Sequence, residues 1–374
     1  MSSRKNLHLR FNRNTKALSK TVLAIILSVV IIVAAISGAV LYYQTQASKP
    51  TITVAIWGGA WETGAKAALA GFAQQYNCKI NYYIQSNSLD TVQKEIAEAS
   101  HPTIDVILTG PDQSLIGVDA GIVEPINPSL VPNLADITPA ANLVINGSTY
   151  FAGNSLNFFG IAVNTNKVNA SAVTSWQWLW NSGLGPKEIG IPTPTYYGMP
   201  IQASYAWYGD QYHNALNQSW AKLEELAPSI GLAYDSDSVA TEALSSGTID
   251  ALVCYQTDAY SLIQSGAPVA FIVPPNEPTW LYPNGPIAIK NGPAGTTLQM
   301  ELINYLLSAN SVTAYCTGIA ANPTNVNSVI PTSMIPYMLS PTQLESIPPI
   351  DYQYWAANAN SWDQTWDSTI QPLL

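Results

Sequence analysis

Residues 51–64 read TITVAIWGGAWETG, and the fold of the chain turns on that stretch. Its first seven residues are uncharged and rich in β-branched side chains, the composition of a buried strand. A helix-like pattern follows at once in ETGAKAALAGFAQQY, then the strand-like KINYYIQ, the helix-like LDTVQKEIAEA and the strand-like TIDVILT. Strand, helix, strand, helix, strand predicts right-handed crossovers and a parallel sheet. Between the first strand and the first helix stand Trp57, Gly58, Gly59 and Trp61. In open parallel sheets ligands sit beyond the carboxyl ends of the strands, so the two glycines read as a tight turn that leaves room for a guest beside an indole. The loop LTGPDQ after the third strand, with Thr109 and Asp112, lies on the same edge.

Downstream the pattern continues with FFGIAVN (strand), SWQWLWN (helix), EIGIPTP (strand), a helical stretch around Trp220 to Leu226, and SVATEALSSGTIDALVCYQTDAY. That last segment reads as a helix, a turn at Gly247, a strand over Ile249 to Tyr255 and a helix opened by Asp258. APVAFIVP, GPIAIK and the helix LQMELINYLLSA follow. The roughly 325 residues after the linker at 44–50 exceed what one core usually carries, so two lobes are expected.

Upstream, Arg4, Lys5, Arg10, Arg13, Lys16 and Lys20 precede TVLAIILSVVIIVAAISGAVLYY at 21–43, which has no charged side chain. As a helix it reaches roughly 34 Å, against a hydrocarbon core of about 30 Å. The positive-inside bias keeps the basic leader, 1–20, in the cytoplasm and sends the rest out. The alternative is a secretory signal removed after small residues such as Ser37 or Ala39. A lipoprotein anchor is disfavoured, because Cys78 lies far beyond the apolar run.

Beyond Tyr43 there are eight lysines, no arginine and all 24 acidic residues, a formal charge of −16. That excludes nucleic acid as a partner and weakens phosphate, sulfate or carboxylate as ligands, which guanidinium forks usually grip. Charged residues make up 10% of the chain against about 25% in ordinary proteins, which suits an acidic external medium where carboxylates are partly protonated. Cys78, Cys254 and Cys316 match no metal spacing and allow at most one disulfide; buried free thiols are the simpler reading. Sequons at Asn146, Asn169 and Asn217 suit an external protein. There is no Gly-x-Ser-x-Gly, no His-Glu-x-x-His and no phosphate loop. An enzyme is therefore not expected, and neither a cofactor nor a metal is implied; His101 and His213 are isolated.

Several stretches in order resemble the extracellular solute-binding proteins of ABC importers, in particular the cluster that includes spermidine/putrescine receptors: WGGAW, IDVILTGPDQ, AGIVEPINPSLVPNL, FGIAVNTNKV, TSWQWLWN, SSGTIDALVCYQTDA, LINYLLSANSVTAYCTGIAANPTN and DYQYWAANANSWDQTW. The segment KALSKTVLAII is similar to the prepilin-type signal of some archaeal binding proteins, which would be cut after Ala17 and keep its helix as an anchor. The resemblance implies a two-lobed type II periplasmic-binding-protein-like α/β fold, each lobe a mostly parallel sheet flanked by helices. Lobe one would be 51–159 and 256–320, and lobe two 160–255 and 321–374, with FFGIAVN crossing over and ALVCYQ returning. It implies an ABC permease and its ATPase subunits as partners.

It also implies a ligand set. Trp57 and Gly58 follow the first strand, Thr109 falls at a small hydroxyl position of the cleft, and Tyr255 falls where a tryptophan commonly forms one wall. Trp280 or Tyr282 would supply a late aromatic; Tyr196, Tyr197, Tyr205 and Trp207 are further candidates. Departures from the family matter. Polyamine receptors carry carboxylates where this chain reads PTPTYYG and TWLYPNGP, with no acid in either. Asp112 and Asp258 remain, either as cleft carboxylates or as helix N-terminal caps. Iron-binding relatives pair tyrosines where this chain has Tyr255 and Gln256. A small organic solute is the expected cargo, polyamine-like or another amino compound, with a sugar or a non-transport surface role as alternatives.

Overall fold

The structure, a computed structural model, describes residues 20–47, 49–194, 199–209, 212–275, 277–347 and 350–374. The chain divides into two compact units, one ending at Pro50 and one spanning Thr51–Leu374. In the first, helix α1 (Lys20–Ala47) runs for 28 residues, and its described side chains are exposed. Among the described residues no helix is long and apolar enough to cross a membrane. The side chains at 20, 23, 41 and 43–47 lie outside that set, so membrane spanning by 21–43 stands as a proposal.

The second unit begins as its sequence predicts: β1 (Thr51–Trp57), α2 (Ala60–Ala68), β2 (Lys79–Gln85), α3 (Ser88–Ala97), β3 (Val106–Thr109) and α4 (Pro111–Asp119). β1 pairs in parallel with both β2 and β3. The helix expected over 62–76 is broken, ending at Ala68 and resuming for Phe72–Gln75; Gly71, a weak helix former, sits at the break. A second series follows: β4 (Ser155–Asn164), β5 (Ile189–Pro192), α5 (Met199–Tyr208), α6 (Tyr212–Leu226), β6 (Ile230–Tyr234), α7 (Asp237–Ser246), β7 (Ala251–Tyr255), α8 (Gln256–Gln264) and β8 (Val269–Ile272). Then come β9 (Leu281–Ile289), α9 (Thr296–Leu306), α10 (Ala309–Ile319) and α11 (Tyr352–Thr369). The expected helix at SWQWLWN is a single turn, Trp178–Asn181.

Strand pairing defines two lobes that share two long strands. The ladder runs β2-β1-β3-β9-β4-β7-β5-β6, with β8 also on β4. The second half of β9 (Gly285–Ala288) pairs with β3 in lobe one. Its first half (Leu281–Asn284) pairs with the first half of β4, Ser155–Phe158. The second half of β4 continues into lobe two, against β7 and β8. All ten residues of β4 are buried, as a strand shared between two sheets requires.

This differs from the expected path in one respect. β4 does carry the chain across, but β7 lies inside lobe two, between β4 and the parallel strand β5. The return is made by β9, so α8 and β8 belong with lobe two rather than lobe one. The reason lies in register: Val269–Ile272 pairs with Ile161–Asn164, at the far end of β4. The tail also departs from a simple assignment to lobe two. Helix α11 packs on α4 of lobe one, while its Tyr354 ring stacks on His213 of α6 at 4.2 Å, so it straddles both.

Buried polar groups tie these pieces together. Asp105, fully buried, accepts the backbone N–H of Thr53 and of Ala294, each at 2.7 Å. Gln256, also buried, accepts the N–H of Phe158 at 2.9 Å and donates to Asn157 Oδ1 at 3.0 Å, pinning the first turn of α8 to the crossing strand. The three cysteines are buried and unbridged. All three sequon asparagines are exposed.

Candidate functional site

A cleft of about 820 Å³ opens where the strand ends of both lobes meet. Lobe one lines it with Trp57, Gly58, Trp61 and Gln85, and lobe two with Thr193, Asp235, Asp237, Tyr255 and Asp258. The crossing strand β9 contributes Tyr282 and Asn284, and α11 adds Asn360 and Asp363. The two tryptophans are set by the turn at 58–59. Gly59, the residue before α2, has φ 65° and ψ −133°, a backbone region open essentially to glycine alone. Gly58 needs no such freedom, since a Cβ there would meet only Ile84 Cγ2 at 3.5 Å. One glycine therefore makes the turn, and the other leaves space on the cleft floor.

The rings form a continuous wall from lobe to lobe. Trp57 lies 5.8 Å from Trp61, Trp61 meets Tyr255 edge-on at 6.2 Å, and Tyr255 lies 6.5 Å from Tyr282. Phe159 of β4 backs Tyr255 at 4.2 Å. Behind Tyr282, its hydroxyl is bonded to Asp112 and lies 2.7 Å from Gln113 Oε1, while Gln113 Nε2 donates to Asp112 Oδ2 at 2.7 Å. Burial, opposed by hydrogen bonds from Tyr282 and the backbone, raises the Asp112 carboxyl to about 6.

Asp258 sits in the first turn of α8. Burial first, and then the Asp237 carboxylate, push its pKa well above the ordinary value, while the backbone N–H of Tyr255 works the other way. It thus lies both in the first turn of the helix and among the residues that line the cleft.

Of the residues expected to bind, Trp57, Gly58, Tyr255, Asp258 and Tyr282 line the cleft. Asp112 lies one layer behind, buried under Tyr282, and Thr109 is fully buried with its hydroxyl toward Gln113. Trp280 is corrected: it is 1% exposed and packs on Trp355 of α11 at 4.4 Å. It precedes β9 and turns into the core, and of the two late aromatics only Tyr282 is among the residues that line the cleft. Trp207 is also outside the lining; it stacks edge-on to Trp180 and lies under the Lys222 ammonium at 4.3 Å. Tyr205 is buried. Tyr196 and Tyr197 lie outside the described residues. Gln256, at the position of the broken tyrosine pair, is structural.

The sequence reading missed Asp235, Asp237, Asp363, Trp61 and Gln85. The motif YDSDS ends strand β6 and carries two of these acids, so the strand-end rule applied to β6 finds them. Asn360 and Asp363 are three apart on α11, which puts them on one helical face. Among the described residues no three His, Cys, Asp or Glu side chains converge as a metal ion needs.

Solved structures share this architecture. A C. perfringens ABC transporter protein superposes with TM-score 0.69 at 22% identity, covering 86% of this chain and 100% of that one. The periplasmic binding protein MotA of A. tumefaciens, in complex with glucopine, gives 0.73 at 21% over 85% and 99%. An ABC transporter substrate-binding protein of Bradyrhizobium japonicum gives 0.72 at 20% over 86% and 100%. No curated protein matches the sequence significantly. Residues 67–333 match the family described as bacterial extracellular solute-binding protein; with two lobes, a shared strand pair and an interlobe cleft, this chain belongs to that family of binding proteins, which are not enzymes.

Proposed function

We propose that this solute-binding receptor captures a small organic cation and delivers it to an ABC permease, from a position tethered to the cytoplasmic membrane by residues 21–43. Structural neighbours bind ligands as unlike as glucopine, GABA and fructose-6-phosphate, so the fold alone does not fix the ligand class and support for a cation comes from the lining. Its carrying observation is charge: Asp235, Asp237, Asp258 and Asp363 line the cleft with no Lys, Arg or His among the described lining residues. An anionic ligand would enter against those carboxylates with no guanidinium to hold it. A cation gains both their field and the ring wall, at about 0.5 to 2 kcal/mol per well-placed aromatic face. Contact with both lobes favours the closed state, because only differential contacts shift such an equilibrium.

A thermal-shift panel on the full-length protein in detergent tests the class. Amines such as putrescine, spermidine and agmatine are expected to raise the melting temperature, since a ligand at 100 times its Kd adds about 2.7 kcal/mol. Stabilisation by glucose or a carboxylate with no response to any amine sinks the cation reading. The tether has its own test. Deleting 21–43 while supplying a cleavable secretion signal is expected to move the protein from the carbonate-washed membrane fraction to the medium. Retention of the deleted form on the membrane counts against it.

A further inference from the structure

Two residues that line the cleft from opposite lobes each carry a buried acceptor without a partner. Gln85, the last residue of β2, is 3% exposed. Its Nε2 donates to Leu108 O at 2.7 Å, which fixes the amide orientation, and its Oε1 has no hydrogen-bond partner. Across the cleft Asp258 is 7% exposed. The Tyr255 N–H satisfies one side of its carboxylate, and Oδ2 has no hydrogen-bond partner. An unmet buried acceptor is costly, more so when charged. The orphaned lining atoms among the described residues are both acceptors, so the missing component is a donor.

We infer that the ligand is a cation carrying N–H groups, with its ammonium or amidinium on Asp258 Oδ2 beside Asp237 and a second N–H reaching Gln85 Oε1 across the cleft. This rests on the organic-cation reading and narrows it. A quaternary ammonium could lie on the Trp57–Trp61–Tyr255 wall but has no proton for either oxygen, so it leaves both acceptors unmet. A neutral polyol has donors but no charge to meet the other cleft carboxylates, Asp235, Asp237 and Asp363. A bare metal ion fits less well, because among the described residues no third His, Cys, Asp or Glu converges with the pair. The placement also joins recognition to closure: Gln85 belongs to lobe one and Asp258 to lobe two, so a ligand satisfying both holds the lobes together.

The test compares putrescine, spermidine and agmatine with the bis-quaternary, fully N-methylated analogue of putrescine, by calorimetry and thermal shift on the full-length protein in detergent. Expected are stabilisation by at least one N–H cation and none by the quaternary analogue. Asp258→Asn should weaken that cation by about 30-fold or more, and Gln85→Met by about tenfold, each variant still melting cooperatively. Should either variant fail to fold, the comparison of N–H and quaternary ligands on the unaltered protein still decides. Equal affinity for the quaternary analogue overturns the inference, as does unchanged binding by a folded Asp258→Asn; both leave the organic-cation receptor standing. A response to glucose with none to any cation overturns the two together.

Discussion

Acidification from about pH 7 to about pH 4 is expected to raise the melting temperature of the ligand-free protein. A main contributor is Asp112, whose carboxyl is raised to about 6 by burial. A carboxyl raised on folding binds its proton more tightly folded than unfolded. Its contribution is therefore fully present below the unfolded value near 3.8 and is lost as pH climbs through the folded one. The difference is on the order of 3 kcal/mol. Hydrogen-bond geometry supports the protonated form independently. The single Tyr282 proton faces two acceptors, Asp112 and Gln113 Oε1, and cannot serve both. With Asp112 protonated, Gln113 Nε2 donates to Asp112, Asp112 donates to the Tyr282 oxygen, and Tyr282 donates to Gln113, so every proton has one acceptor. Asp105 and Asp258, both raised chiefly by burial, act in the same direction. Relief of the net charge of −16 beyond Tyr43 adds to it. Exposed Glu98, lowered by Lys94 and Thr103, opposes weakly because solvent screens it. Melting curves across that range check this, and Asp112→Asn should flatten the profile. A maximum at neutral pH, with steady loss of stability on acidification, defeats the assignment.

That pH profile is legible in the sequence only as low charge content; the buried carboxyls behind it come from three-dimensional burial. The fold was legible because the strands of lobe one are short β-prone runs, mostly apolar in TITVAIW and TIDVILT and mixed in KINYYIQ, separated by helix-periodic segments, and because WGGAW and LTGPDQ sit at strand ends. The crossing back was not. ALVCY and GPIAI are equally apolar, and only pairing register separates a central strand from a shared one. For the site, strand-end logic pointed to Trp57, and the family resemblance pointed to Tyr255 and Tyr282; the same resemblance drew attention to the loop after β5 and away from the acids after β6. Trp280 illustrates the limit of counting along a chain. It is two residues before Tyr282, the spacing that puts side chains on one face of a strand, yet β9 starts at Leu281 and the alternation does not extend back to it. Gln85 looks like any strand-end amide, and its unmet oxygen depends on where Leu108 O lies. Asp363 depends on a helix from the tail reaching back over the cleft.

Gly285→Ala is expected to be the most damaging single-methyl change in the hinge. Gly285 is the residue at which β9 passes from its pairing with β4 to its pairing with β3, opposite Thr109. A Cβ there would stand 2.2 Å from Ala152 O and 2.7 Å from Gly153 Cα. Those are backbone atoms, and they are held in place. Gly153 N–H donates to Ala141 O and Asn154 N–H to Asn284 O, each at 2.8 Å. Room can be made only by breaking those bonds or by pushing β9 off the 152–154 turn, which separates the two shared strands at the start of their pairing. A cost of about 3 kcal/mol or more follows for so tight an overpacking, or roughly 4 °C or more in melting temperature for a unit of this size. Ligand affinity should fall as well, because the displaced strand carries Tyr282 and Asn284 into the cleft. Gly58→Ala is the matched control: its Cβ would meet one flexible side-chain methyl at an ordinary 3.5 Å, so its stability should stay near that of the unaltered protein. Melting temperatures of the two variants within about 1 °C of each other, both near the parent, would show that β9 yields at this point. The hinge would then lie elsewhere on the crossing strands.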